Sequence, residues 1–242
     1  MLLRTGSIAA APFVVTDRHG GVSAPPYDEL DLGDHVGDDA GAVAQNRRRL
    51  AAALDLAVER LVFSRQVHGS DVHLVEGPQV PGEPLPAADA LVTREPGLAL
   101  VVLVADCVPV LLAARDSDVV AVAHAGRRGV ESGVVAATIA AMSALGAQPE
   151  DVAAVVGPSV CGGCYEVPQE MADRVVAAQP ATRATSSAGR PALDLRAGVV
   201  AQLLDAGVRT IDADPWCTAE SPDLYSYRRD GVTGRFAGVV LS

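Results

Sequence analysis

The stretch Leu98-Ala-Leu-Val-Val-Leu-Val-Ala-Asp-Cys-Val-Pro-Val-Leu-Leu-Ala-Ala114 decides how this chain folds. It is apolar except for Asp106 near its centre, with Pro109 close behind. As a membrane-spanning helix it would hold an acid at mid-bilayer, at a cost of ~2.5–3.5 kcal/mol. It is also rich in Val, and β-branched residues favour strands. The spacing predicts two strands, Leu98–Val104 and Val108–Ala113, each buried on both faces and meeting at a turn around Asp106.

Outward from this pair, further apolar runs predict strands at Gly6–Val15, Arg60–Val67, Asp71–Val75, Ala90–Thr93, Val119–His124, Val152–Val156, Thr210–Asp212 and Phe236–Leu241. The first of these makes the opening residues an N-terminal strand rather than a signal peptide. Helices are expected at Ala40–Leu54 behind Asp38 and Asp39, at Gly133–Leu145 before Gly146, at Pro168–Ala178, and at Asp194–Ala206 before Gly207. Residues 77–86 and Thr182–Pro191 read as surface loops. Strands and helices mix without strict alternation. The expected class is therefore α/β (α+β) with a mixed sheet, in a single domain spanning 1–242.

Composition narrows the function. Hydrophobic residues make up 49% of the 242 and charged residues 20%, which is globular usage. Aromatics are only 3%, so Ala, Val and Leu must build the core. All 19 basic residues are arginine, and against 30 acids they leave a formal charge of −11. Such a surface argues against nucleic-acid and anionic-membrane partners. Without lysine there is no P-loop, and no Gly-x-Ser-x-Gly elbow occurs. Four cysteines are too few for a disulfide scaffold and read as thiols of a reducing, cytoplasmic setting.

Three residues close apolar, strand-like runs: His68 in Val-Phe-Ser-Arg-Gln-Val-His-Gly, Cys107 after Val-Val-Leu-Val-Ala-Asp, and His124 in Val-Val-Ala-Val-Ala-His-Ala-Gly. Two imidazoles and a thiolate are the donor set of a catalytic zinc with one position open. By spacing alone they are equally three ordinary core or loop residues. Gly69 and Gly126, which permit close backbone approach, favour the zinc reading. Asp106, next to Cys107, is expected to steer a histidine, take a proton or cap the turn. Cys161-Gly-Gly-Cys164 has no second Cys-x-x-Cys or His pair to complete a zinc site. With Tyr165 it reads as a substrate-lining loop, with a redox dithiol as the alternative. A nucleobase-deaminase fold is excluded, because His-x-Glu and Pro-Cys-x-x-Cys are both missing. Arg127–Arg128 and Arg228–Arg229 are candidate phosphate clamps, whereas Arg48 and Arg49 read as a solvated helix face.

These residues belong to a longer ordered set. It includes Thr16-Asp-Arg-His-Gly-Gly21, Leu30-Asp-Leu-Gly-Asp-His-Val-Gly37, Asn46-Arg47, Gln66-Val-His-Gly69, Ala88-Asp-Ala90, Ala105-Asp-Cys-Val-Pro109, His124-Ala-Gly126, Gly157-Pro158, Cys164-Tyr-Glu-Val167 and Ser226-Tyr-Arg-Arg-Asp-Gly-Val-Thr-Gly-Arg235. In these motifs the chain resembles the YfiH family, the laccase-domain or "polyphenol oxidase" proteins now regarded as purine nucleoside phosphorylases. The resemblance implies a four-layer α/β/β/α domain and a metal held by His68, Cys107 and His124, zinc in most descriptions and copper in others. It implies phosphorolysis of adenosine, inosine, guanosine and methylthioadenosine, with adenosine deamination, in the cytoplasm. Nucleosides and phosphate are then the partners, and a monomer is the expected assembly. Phosphate would fall to Arg47, Arg228 or Arg229, and Cys164 and Tyr165 would line the substrate. Other labels the family has carried are copper-dependent laccase and an amidase that edits peptidoglycan precursors. A metal-free cysteine hydrolase with Cys107 as nucleophile and His68 or His124 as base is the rival reading. The chain departs from the family pattern at Arg127, commonly Trp, and at Cys161-Gly-Gly-Cys164.

Overall fold

The computed structural model describes residues 1–242. In chain order its elements are β1 (Leu2–Ile8), β2 (Ala11–Thr16), α1 (Ala40–Ala53), β3 (Leu61–Val62), β4 (Val72–Leu74), β5 (Ala90–Thr93), β6 (Ala99–Val104), β7 (Val108–Ala114) and β8 (Val120–Ala125). There follow α2 (Arg127–Ser132), α3 (Val134–Ala144), β9 (Val152–Val156), α4 (Gln169–Ala178), β10 (Arg183–Thr185), β11 (Pro191–Leu193), α5 (Leu195–Asp205), β12 (Thr210–Ala213), α6 (Tyr227–Asp230) and β13 (Phe236–Leu241).

The Leu98–Ala114 run splits as its pattern predicts, and each half joins a different sheet. β6 lies in a five-stranded sheet of order β1-β2-β13-β6-β3, and β7 in a six-stranded sheet of order β12-β9-β7-β8-β5-β4. Both sheets are mixed: β3 runs parallel to β6, β4 to β5 and β12 to β9, while the other neighbours are antiparallel. The alternation of side chains along β6 is visible in its burial. Leu100, Val102 and Val104 face the other sheet, while Ala99, Val101 and Leu103 pack with Leu50 and Ala51 of α1 and with Leu30 and Leu32. Across the six-stranded sheet, Leu111 and Ala113 point inward, and Val110 and Leu112 meet Ile139 and Met142 of α3 and Val199 and Leu203 of α5. Helix, sheet, sheet and helix are thus stacked as four layers. Strands sandwiched this way read as unbroken apolar runs.

The structure corrects several expectations. Gly6–Val15 is not one strand but the β1–β2 hairpin, turning at Ala9, whose φ of 55° is left-handed. Arg60–Val67 is a strand only at Leu61–Val62, with one isolated bridge from Arg65 to Ala87 beyond it, and Gln66 takes the place of the strand against β6. Its side-chain amide donates to the Leu103 carbonyl at 2.8 Å and accepts from the Leu103 N–H at 2.8 Å. Thr182–Pro191 is not a loop throughout, since β10 and β11 form a hairpin there. Arg127–Arg128 open the short helix α2.

One buried acid under this frame carries a pH signature. Asp31, between Leu30 and Leu32, is fully buried and accepts the N–H groups of Gly33 and Arg235 on one oxygen at 2.9 and 2.8 Å. Its other oxygen, like one oxygen of neighbouring Asp38, is buried without a partner. Burial pushes the Asp31 pKa up to about 6, opposed by the two N–H groups and reinforced by Asp38. A carboxyl raised on folding stabilises the protein below its unfolded pKa and loses that contribution as pH rises through the folded value. The penalty above about pH 6 is on the order of 2–3 kcal/mol. Asp31→Asn keeps the accepting oxygen and turns an NH2 toward the Asp38 carboxylate. Its thermal midpoint is expected to gain on wild type from about pH 4 to just above pH 6 and to hold a constant lead beyond that. Parallel midpoint curves for the two proteins would refute this assignment.

Candidate metal centre and cavity

The crossing between the sheets is the turn Ala105-Asp106-Cys107. Asp106 has a φ of 91°, a left-handed conformation rare outside Gly and Asn. The carboxylate explains why an acid is kept there. It accepts hydrogen bonds from Thr218 Oγ1 and Ser226 Oγ, both at 2.6 Å, and from the Arg228 N–H at 2.6 Å. The Asp106 carbonyl in turn accepts from the Val160 N–H at 3.0 Å. Of the roles expected for Asp106, the turn cap is the one the geometry shows.

Cys107 therefore projects from the start of β7 beside His124 near the end of β8. The long connection after β3 brings His68, at a φ of 61°, to the same point. The ligand atoms of His68, Cys107 and His124 all lie within 4.8 Å of one another. The imidazole centroids are 4.7 Å apart with the rings edge to face at 81°. His124 is buried, Cys107 is half-buried, and His68 is exposed on the open side. A methyl group on Gly126 would lie 2.9 Å from His68 Cδ2, 3.0 Å from Cys107 Sγ and 3.6 Å from His124 Cε1. The missing side chain at Gly126 leaves the space between the donors free.

The residue that aims the donors is Asp89, ahead of β5. His124 Nδ1 donates to Asp89 Oδ1 at 2.8 Å, leaving Nε2 as the free donor atom. The backbone N–H of His68 donates to the same oxygen at 2.8 Å, and those of Val67 and Gly69 donate to Oδ2 at 3.2 and 2.7 Å. One buried carboxylate thus fixes the ring of His124 and the backbone of His68, the usual carboxylate support of a metal-binding histidine. These donors outweigh its burial and hold the Asp89 pKa below the usual carboxylate value. Burial works against a charged Cys107, but the two imidazoles prevail and lower its pKa to about 6. Burial likewise opposes His124 imidazolium, yet Cys107 and Asp89 raise its pKa to about 9. Both shifts favour the thiolate and imidazolium forms of the pair. Two nitrogens and a soft sulfur at this separation suit zinc or another late first-row metal, and a bound metal would displace the imidazolium proton.

A cavity of about 440 Å³ opens on these donors. Its polar wall holds Arg127, Arg228, Arg235 and His35, and its apolar wall Leu103, Val104, Val160 and Leu195, with Tyr165 and Tyr227 alongside. The Arg228 guanidinium lies 4.9 Å from the Tyr165 ring centre, a cation–π contact, and donates to the Glu166 carbonyl at 3.0 Å. Burial, and then the nearby Cys107, push the Tyr165 phenol up, while Arg127 and Arg228 oppose them.

Not every residue expected here arrives. Arg47 stacks on Phe63, 4.1 Å from the ring centre, donates twice to the Leu32 carbonyl and pairs with Asp34 at 3.3 Å, outside the cavity. α1 presents it to the loop it packs against, so it is a structural clamp. Arg229 spends its guanidinium on Asp230 and the carbonyls of Thr218, Ser221 and Leu224. Cys164 turns away from the cavity that Tyr165 lines, and its sulfur meets Glu220 at 3.5 Å. Conversely, Asp89 and Arg235 were not singled out by chemistry. Asp89 stood out only as part of the Ala88-Asp-Ala90 motif and as an acid between apolar strands. Arg235 closes the motif that begins at Ser226, with no chemical role read from it.

The description "multi-copper polyphenol oxidoreductase laccase" names a family model that matches residues 12–242. The chain belongs to this laccase-like YfiH family. Within it, the chain is 54% identical to the purine nucleoside phosphorylase of Mycobacterium tuberculosis, over 94% of this chain and 90% of that protein. It is 53% identical to the purine nucleoside phosphorylase of Streptomyces coelicolor, over 99% of both. The crystal structure of YlmD from Geobacillus stearothermophilus shares the fold at a TM-score of 0.89 and 35% identity, covering 97% of this chain and 92% of that one. The Bacillus licheniformis YfiH structure matches at 0.88 and 30%, covering 96% and 92%. The YfiH-family fold is thus the four-layer architecture seen here, and its candidate metal donors lie at the turn between the sheets.

Gly126→Ala tests the cradle. The backbone at Gly126 is ordinary (φ −75°), so the added methyl does not strain it. Zinc affinity measured by competition with a chromophoric chelator is expected to fall by at least about tenfold, as for other disturbances beside a metal ligand. Unchanged affinity would mean that the donors do not act together.

Proposed function

We propose that this chain is a cytoplasmic purine nucleoside phosphorylase that cleaves adenosine, inosine, guanosine and methylthioadenosine, with adenosine deamination as a side activity. The observation that carries the reading is one cavity in which His68, Cys107 and His124 stand beside three guanidinium groups and two tyrosines. The names of its relatives, at 54% and 53% identity, point to the same reaction.

In phosphorolysis a phosphate oxygen bonds to the sugar's anomeric carbon, and the bond from that carbon to the purine nitrogen breaks. The electron pair leaves on the base, which then takes a proton. The transition state has oxocarbenium character, so catalysis consists of placing the phosphate, holding the base and balancing charge. Arg228 and Arg235 are placed to grip phosphate, and guanidinium forks match its oxygens two at a time. Arg127 adds positive charge on the same wall, a local field that an acidic surface does not cancel. Tyr165 and Tyr227 offer flat faces to a purine, and Leu103, Val104, Val160 and Leu195 exclude water around it. A zinc ion held by His68, Cys107 and His124 would supply Lewis-acid chemistry next to the bound nucleoside. Asp106 holds the backbone N–H of Arg228 and so sets its distance from Cys107.

The thiol and imidazole pair also suits a cysteine hydrolase, the amidase reading. One assay separates the two. Purified protein is incubated with inosine and phosphate, and hypoxanthine is followed with and without a chelator. Phosphate-dependent release that chelation abolishes supports the phosphorylase. Release that survives chelation but not thiol alkylation overturns the metal reading. Cys107→Ala is expected to lose release entirely. Arg228→Ala is expected to raise the KM for phosphate by about 10–100-fold, the range for losing charge-assisted hydrogen bonds. Adenosine in place of inosine, followed for inosine formation without phosphate, tests deamination.

A further inference from the structure

Cys161, Cys164, Cys217 and Glu220 converge outside the cavity, with their ligand atoms all within 4.8 Å of one another. They come from two loops. β9 and β12 are parallel neighbours, so their exits lie side by side, one leading to Cys161-Gly-Gly-Cys164 and the other to Cys217. The loops are stitched together before any ligand binds. Ser159 pairs with Cys217 in a short parallel bridge, and the Arg196 guanidinium donates to the carbonyls of Ser159 and Trp216 at 3.1 and 2.8 Å. The Cys161 carbonyl accepts the N–H groups of Cys164 and Tyr165, both at 3.0 Å, which closes a tight turn with its two sulfurs facing one way. A methyl group on Gly162 would strike Ala184 at 2.9 Å, so the turn is seated closely. The Cys161 N–H points at Cys217 Sγ, 3.3 Å away, a donor suited to a thiolate.

We propose that these three thiols and the Glu220 carboxylate form a second metal site that binds one zinc ion and clamps the two loops. In a tetrahedral zinc centre with bonds of about 2.3 Å to sulfur, neighbouring donors stand roughly 3.8 Å apart, a spacing this cluster reaches with small adjustments. Three soft sulfurs select zinc over magnesium or calcium, and four protein donors close the coordination shell, as in structural rather than catalytic sites. Binding releases the thiol protons to solvent. The clamp has a clear use. Tyr165 follows Cys164 directly, and Thr218 follows Cys217 and donates to Asp106. The ion would tie the tyrosine wall of the cavity to the turn that carries Cys107. A Cys161–Cys164 disulfide would leave Cys217 and Glu220 without a partner, and all four cysteines are free thiols here.

The site is tested by counting metal, independently of activity. Native mass spectrometry of zinc-loaded full-length protein is expected to show two ions per chain. His68→Ala, at an exposed position that is not one of the cluster's donors, should keep one. Its cobalt form should show the sulfur-to-metal charge-transfer absorption of a multi-thiolate centre. Cys164→Ser should also keep one ion, and its thermal midpoint should fall only in the zinc-loaded state. If that variant does not fold, Glu220→Gln carries the test, with second-site affinity lower by at least about tenfold. The proposal is overturned if folded His68→Ala binds no zinc while its three cluster thiols remain free to alkylation. It is equally overturned if protein purified without oxygen yields a Cys161–Cys164 disulfide on peptide mapping.

Discussion

The buried carboxylate of Asp106 is the joint on which the functional half of the molecule depends. It lies where the chain leaves one sheet for the other, in a backbone conformation that costs on the order of 1 kcal/mol for a residue with a side chain. Three hydrogen bonds to its oxygens offset that cost, and they come from far along the chain: Thr218, Ser226 and Arg228. The same residue therefore places Cys107, anchors the segment that carries Arg228, and touches the loop behind Cys217. Charge-assisted bonds to a nearly buried acceptor are among the stronger interactions a fold can use, and a buried acceptor left unpaired is costly. The constraint runs both ways, since the C-terminal segment cannot shift without leaving the acid bare.

Asp89 plays the matching part on the other side of the donor trio. It satisfies the N–H groups of three successive residues around His68 and also orients His124, so the two imidazoles move as one unit. The division of labour is physically sensible. Groups that bind a cation or substrate need exposed lone pairs, and they cannot also hold themselves in place. Buried acids do that for them. The same logic separates the arginines. Arg47 and Arg229 have their guanidinium groups saturated by carbonyls and carboxylates, which makes them clamps. Arg228 and Arg235 bond only to a few carbonyls and keep a face on the cavity.

The two cysteine-containing centres differ in kind. The His68–Cys107–His124 trio has three donors, an exposed edge and a cavity in front, the arrangement of a reacting centre. The Cys161–Cys164–Cys217–Glu220 cluster has four donors and two loops to join, the arrangement of a staple. Both lie at the strand exits where the two sheets meet, because strand ends are rigid and loops leaving them converge.

The sequence pattern by itself determined a mixed-sheet class with strands buried on both faces and the chemistry available, and the four layers came only with the family resemblance. Unbroken apolar runs mean strands covered on both faces, and the residue at the end of each run identified His68, Cys107 and His124. Glycine beside them announced close packing, which Gly126 bears out in the space it leaves. Only the tertiary structure decided which side chains meet. Asp89 reaches His124 from 35 residues away and Cys217 reaches Cys161 from 56, separations at which no periodicity operates. Local pattern tells which face of an element is buried. It does not tell that β9 and β12 run side by side, and that adjacency turns an isolated Cys-x-x-Cys into a four-donor cluster. It also does not tell which of many arginines finds its guanidinium already taken by a carbonyl, so Arg47 was expected at the phosphate and Arg235 was not.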